Sequence, residues 1–191
     1  MCTSVEPPSP TAAVTVNWRG RPLVIRPIVP GDEARHSAFF AGLAREDLRL
    51  RFFSPRREVP HAEMLRLVHP DAVHEVALMA LASGTGGEPE EVASARAVSD
   101  AGNVEAEFGI TVRSDLKHQG LGRLLLTHLI AAVRCRGTQR IACDVLHENT
   151  PMRALASALG FQVAAGTPIS GPMRYVLVLR TANLPPLLQG R

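Results

Sequence analysis

The chain has 191 residues, 46% hydrophobic and 20% charged, which is the make-up of one globular domain with its own core and not of two. Aromatic residues reach only 4%, so the core is expected to rest on Leu, Val, Ile and Ala, and a base-stacking surface is not expected. A net charge of +3 suits an anionic cofactor but falls short of the basic stripe of a nucleic-acid binder.

Three cysteines, Cys2, Cys135 and Cys143, make an odd count with no CxxC pair, which gives neither a disulfide framework nor a zinc knuckle. A reducing compartment is expected. No run of about 18 apolar residues and no basic-then-apolar start is present, so the expectation is a cytoplasmic protein without a membrane segment.

In chain order, residues 1–12 are rich in Pro and Ser and read as a tail. Two β-like runs, Ala13–Trp18 and Leu23–Ile28, flank the turn Arg19-Gly20-Arg21-Pro22 and predict a hairpin. Asp32 is placed to cap a helix running to about Leu43. Helical patterns follow over Glu46–Phe53 and from Pro60 to Val68. Strands are expected at Glu75–Ala82, Val92–Val98 and Val104–Arg113, forming an antiparallel meander. The period then changes. Leu121, Leu124, Leu125, His128, Leu129, Ala132 and Val133 share one helical face, closed by Gly137. A strand at Arg140–Leu146, a helix at Asn149–Leu159 and strands near Phe161–Ala165 and Met173–Leu179 complete a single domain over 13–181, with 182–191 as a second tail. The order implies an α+β domain around one mixed, mostly antiparallel sheet.

The informative stretch is the strand Glu105 to Arg113 followed by Lys117-His118-Gln119-Gly120-Leu121-Gly122-Arg123 and a helix. Strand alternation puts Ala106, Phe108, Ile110 and Val112 on the core face and Glu105, Glu107, Gly109 and Thr111 on an open polar face. Gly120 and Gly122 lie where a loop becomes a helix, and a helix N-terminus offers free N–H groups and partial positive charge to phosphates. The dinucleotide pattern GxGxxG fails at Leu125, and no P-loop is present. Taken alone, the glycine pair serves equally well as a structural turn.

The segment LKHQGLGRLLLTHLIAAVRCRG resembles the acyl-CoA signature of the GNAT acetyltransferases: Arg or Gln, two residues, Gly, any residue, then Gly or Ala. Lys117 takes the first position and departs from the usual residue, Gly120 the fourth and Gly122 the sixth. HENTPMRALASALGF resembles the family's Asn-led helix ending in Leu-Gly-Phe. LVIRPIVPGDEARHSAFFAGLAREDLRLRFFS narrows the resemblance to the GNAT domain of bacterial Pat-type protein lysine acetyltransferases. The synthetase-like or cyclic-nucleotide module often joined to such domains does not fit in this chain, so regulation by one is not expected.

The resemblance implies a GNAT fold, acetyl-CoA as cosubstrate and transfer to a primary amine, foremost a protein lysine. It implies that Ile110, Thr111 and Val112 pair with the pantetheine arm. The N–H groups of His118, Gln119, Gly120, Leu121, Gly122 and Arg123, with Lys117 beside them, would hold the pyrophosphate, and Asn149 would reach the cofactor from the next helix. Glu107 takes the position of the general base. The tyrosine acid that many relatives carry is missing, since Ala156 stands there. A homodimer is in keeping with the family. A small-molecule amine acceptor and a non-catalytic acyl-CoA sensor are the alternatives. Among the remaining residues, His128 is expected in the core, Cys135 and Cys143 as small buried hydrophobes, and Arg49, Arg51, Arg56 and Arg57 on a solvated helix face. His147-Glu148 makes no metal site.

Overall fold

The computed structural model describes residues 12–84, 86–166 and 171–179, so the two predicted tails, apart from Ala12, lie outside the described residues. The period-2 runs form strands. β1 (Val14–Trp18) turns directly into β2 (Arg21–Pro27), with Trp18 opposite Arg21, so the turn is shorter than the four residues expected. The meander follows as β3 (Glu75–Ser83), β4 (Pro89–Ser99) and β5 (Glu105–Val112). β6 (Arg140–Val145), β7 (Gln162–Val163) and β8 (Met173–Val178) complete one sheet of order β1-β2-β3-β4-β5-β6-β8-β7. Only β5 and β6 run parallel.

Helices cover both faces of the central strands. β3 is buried on both sides: Val76, Leu78 and Ala80 join the cluster that holds α4 (Leu121–Cys135), while Ala77, Met79 and Leu81 meet Val68 at the end of α3 (His61–Val68). The apolar side chains of α5 (Thr150–Ala158) join the α4 cluster. A third cluster ties α1 (Glu33–Ala41), α2 (Arg45–Phe52) and α3 together through Phe39, Phe40, Leu48 and Met64. The predicted face of α4 is broader than expected: Leu126 and Ile130 are buried, whereas Leu124 and His128 sit half-buried at its edge. His128 satisfies its Nδ1 against the Leu124 carbonyl at 2.9 Å. Cys143 is buried as expected, but Cys135, at the end of α4, is exposed. No helix among the described residues is long and apolar enough to cross a membrane.

Asp32 departs from its predicted role. It precedes α1, yet its carboxylate caps nothing in that helix. It is buried, accepts two bonds from the Arg26 guanidinium at 2.5 and 2.7 Å and one from Arg35 at 2.7 Å, and receives the Val29 N–H at 3.0 Å. A buried carboxylate needs this many donors to offset its lost hydration, so the ion pair outcompetes the cap. The Arg26 hydrogen bond holds the Asp32 carboxyl below the usual range. A group with a depressed folded pKa stabilises above its unfolded value, near pH 4, and that contribution is lost as pH falls through the folded value. Asp32→Asn is expected to cost roughly 1.5–3 kcal/mol at pH 7. The gap between variant and wild type should close as pH drops below about 4; urea melts at pH 7 and pH 3 measure it.

Candidate active site

The site is opened by a failure of strand pairing. β5 and β6 pair only over Glu105↔Arg140, Ala106↔Ile141 and Glu107↔Ala142. Beyond Glu107 the two strands part, while β6 stays paired to β8 as far as Val145. In an antiparallel ladder the direction of N–H and C=O alternates along a strand. The Glu105 carbonyl accepts from Asp100 and the Arg113 N–H donates to Val92, so odd residues of β5 bond toward β4. Phe108, Ile110 and Val112 therefore direct their N–H and C=O groups into the gap. The gap is part of a cleft of about 790 Å³ between β5, β6, α2, α5 and the N-terminal end of α4.

At one end of the cleft lies the turn into α4. His118 and Gly120 both have positive φ, 60° and 83°, and bracket Gln119 in a tight reversal just before the first turn of α4. Gly120 has no competing atoms near its Cβ position, so its need for glycine is conformational. The Trp18 indole N–H on β1 donates to the Gln119 carbonyl at 3.0 Å and fixes the loop from the far hairpin. Lys117, His118, Gly120, Gly122 and Arg123 line the cleft, as do Ile110, Thr111, Val112 and Asn149. The Leu121 side chain is buried in the core, so only its backbone faces this turn. The Gln119 amide instead donates to the Asp115 carbonyl at 3.2 Å. Asn149 caps α5, its Oδ1 accepting from the Met152 N–H at 3.2 Å. Free N–H groups at a helix start, cationic side chains and a strand edge leading away fit a pyrophosphate carrying an extended, amide-containing arm.

Lys117 is not a free cation. Its ammonium is ion-paired with Asp47 of α2, which also accepts from the Ser114 hydroxyl at 2.5 Å. Arg49, two residues on, bridges Glu46 at 2.8 Å and Glu148, just before α5, at 2.9 Å. These pairs span from α2 to both banks of the cleft. Two expectations change as a result. Thr111 is buried, because α2 covers that face of β5. Arg51 does not lie on a solvated face: its guanidinium rests against Gly109, where a Cβ would come within 2.5 Å of Cζ. Gly109 thus leaves room for the guanidinium, which a side chain at this position would displace.

Glu107 is exposed, on the same face of β5 as Gly109, and lines the cleft. Its Oε1 accepts from Arg174 of β8 at 2.9 Å. Arg174 also holds Glu105 at 2.6 Å and Asp144 of β6 at 3.3 Å. Glu105 has a second partner in Arg140 at 3.0 Å, and the Arg174 bond holds its carboxyl below the usual range. It is consumed in structure; of the carboxylates that line the cleft, Asp47 is paired with Lys117 and Glu148 with Arg49, while Glu107 and Asp144 share Arg174. Cys143 also lines the cleft, but burial pushes its thiol up to about 12, with Asp144 adding to the effect, so it is no nucleophile at neutral pH. Tyr175 is buried on β8, its hydroxyl accepting from Arg153. No sequence pattern marks Arg174 or Asp144, since their meeting depends on which strand lies beside β6. In the sequence Arg51 is one of four arginines in a short run, and the small residue at 109 is the other trace of its position.

The comparisons with known proteins agree with this geometry. Residues 44–161 match the model of the acetyltransferase (GNAT) family. The GNAT domain of S. lividans PAT superposes with a TM-score of 0.78 at 28% identity, covering 91% of this chain and 99% of that one. yncA from Salmonella typhimurium, solved with its cofactor acetyl-CoA, shares the fold with a TM-score of 0.68 at 21% identity, over 85% of this chain and 97% of that one. The [ribosomal protein bS18]-alanine N-acetyltransferase of Salmonella typhimurium is 40% identical over 57 residues, which is 30% of this chain and 38% of that relative. With the family model matching well over half its length, the chain belongs to the acetyltransferase (GNAT) family, enzymes that take their acetyl group from acetyl-CoA.

Proposed function

We propose that the protein transfers the acetyl group of acetyl-CoA to the ε-amine of a protein lysine, with Glu107 as the general base. The observation that carries this is one cleft holding three things in line: a helix N-terminus fit for pyrophosphate, the outward backbone of Phe108, Ile110 and Val112, and Glu107 beyond them. The pantetheine arm extends β5 as an added strand, bonding where β6 has withdrawn. That places the thioester near Ile110, whose N–H polarises the carbonyl oxygen.

A lysine ammonium has a pKa of about 10.4, so presenting the free amine at pH 7 costs about 4.6 kcal/mol. Glu107, directly or through one water, takes that proton. The amine nitrogen then attacks the thioester carbon, a C–N bond forms, the C–S bond breaks, and the departing sulfur takes a proton from the amine or from water. Three carboxylates, Glu105, Glu107 and Asp144, against Arg174 and Arg140 leave this corner of the cleft net negative, which favours an incoming ammonium. The likeness to the S. lividans PAT domain over nearly its whole length, and the bS18-alanine acetyltransferase among the relatives, both favour a protein amine over a small one.

Two outcomes test this. Glu107→Gln should lower kcat on a lysine peptide by at least about 100-fold at pH 7. Its residual rate should climb tenfold per pH unit toward the amine pKa, and acetyl-CoA affinity should be unchanged; a pH–rate profile beside calorimetry reads both. Gly120→Glu places strain and negative charge at the helix N-terminus and should weaken acetyl-CoA binding by about 100-fold, while Gly120→Ala, with strain alone, should cost about tenfold.

A further inference from the structure

Among the cations that line the cleft, Arg51 is set apart by lacking a partner while half-buried; Arg123 also has no ion pair among the described residues, but it is exposed at the phosphate end. Arg96 is ion-paired with Glu75 and donates to the Leu67 carbonyl. Lys117 has Asp47. Arg51 has no hydrogen bond or ion pair among the described residues, and its one specific contact is the Phe52 ring, 5.1 Å from Cζ. Glu63, the carboxylate whose charge reaches it, is engaged by Arg56 at 3.0 Å. Burial, with the like charge of Arg96 behind it, pushes the Arg51 guanidinium down to about 10. A half-buried guanidinium has five donors, and here no acceptor among the described residues meets any of them, so its desolvation cost is only partly offset by the Phe52 ring. Such a group is matched to an anion that arrives from outside.

Its place in the cleft identifies the anion. Arg51 sits over Gly109, two residues along β5 from Glu107 and on the same face. The pyrophosphate end lies beyond Val112 in the opposite direction, so Arg51 faces the acceptor side. Two strand residues span roughly 7 Å. An α-amine is one carbon from its own carboxylate and is too close to bridge that gap. A lysine ε-amine with a carboxylate at the base of its side chain, or on a neighbouring residue, bridges it.

We infer that Arg51 anchors a carboxylate carried by the acceptor about one lysine side chain away from the amine that is acetylated. This rests on the lysine reading above and narrows it. The carboxylate has two sources, an Asp or Glu beside the lysine in a protein or the α-carboxylate of lysine itself. An arginine that bonds it in two places also fixes the direction in which the lysine enters.

The test is calorimetry of acceptors on wild-type protein saturated with CoA, which reads the anchor whether or not turnover occurs. Peptides of one sequence carry Lys flanked by Glu or by Arg, and Nα-acetyl-lysine is compared with its amide. The Glu-flanked peptide should bind about 10- to 100-fold tighter than the Arg-flanked one, or the acid tighter than the amide, and Arg51→Met should erase the difference. A preference among peptides alone assigns the neighbouring side chain; a preference between acid and amide alone assigns lysine's own carboxylate. Equal binding in both pairs overturns the anchor. Lost turnover with the preference intact would instead count against the acceptor and base assignments and leave the anchor standing. Thermal melts give an independent readout. Removing an uncompensated charge should leave the Tm of Arg51→Met unchanged or raised, and a fall of several degrees would mark Arg51 as structural and overturn the proposal.

Discussion

The short parallel register between β5 and β6 is the constraint on which the rest depends. Every other neighbouring pair in the sheet is antiparallel, and the β6–β8 pairing runs the length of β6. The parallel pair ends after three residues although both strands continue, β5 to Val112 and β6 to Val145. A strand edge inside a protein is normally a liability, because its N–H and C=O groups need partners. Here the gap and the turn into α4 line one cleft, so the crossover that joins the two strands also sets a helix N-terminus at the mouth of the opening. That topology fits the proposed placement of the cofactor, its phosphate end at the helix and its amide-bearing arm along the edge.

The walls of this opening are tied together by charge. Asp47 reaches Lys117 and Ser114 on the β5 side, and Arg49 reaches Glu148 on the α5 side. Exposed pairs such as Arg49–Glu148 contribute little stability each. Their value is positional, since they hold α2 over β5 and so bring Arg51 onto Gly109. α2 is a helix of eight residues whose apolar contact with the body runs through Leu48 and Phe52. Its placement over the cleft therefore combines this packing with the ion pairs.

What the sequence made legible followed from local rules. Alternation found the strands, the three-and-four spacing found α4, and Gly120 with Gly122 marked the loop that lines the cleft at the start of α4. Glu107, Ile110 and Asn149 all proved to line one cleft, because a short strand and the helix after β6 carry them there. The losses were non-local. Asp32 had the composition of a cap, but its carboxylate turns back to Arg26 on β2, a pairing outside the helix pattern that marks a cap. Thr111 had the alternation of an open face, but α2 covers it. Arg174 joins Glu105, Glu107 and Asp144 from nearly seventy residues away along the chain from β5, and no pattern within a window of the sequence records such a partner.

These charges give the cleft a polarity with chemical consequences. Its phosphate end is positive through the N-terminus of α4 and Arg123. Its far corner is negative through Glu107 and Asp144, which Arg174 only partly offsets because Glu105 shares the same guanidinium. Between the two ends lies Arg51, positive, against Gly109 and without an ion-pair partner among the described residues. On the proposed reading a lone ammonium is drawn to Glu107 and repelled by Arg51, whereas an ammonium with a carboxylate behind it meets both charges in the right order, so the field of the cleft favours a zwitterionic acceptor before any contact is made.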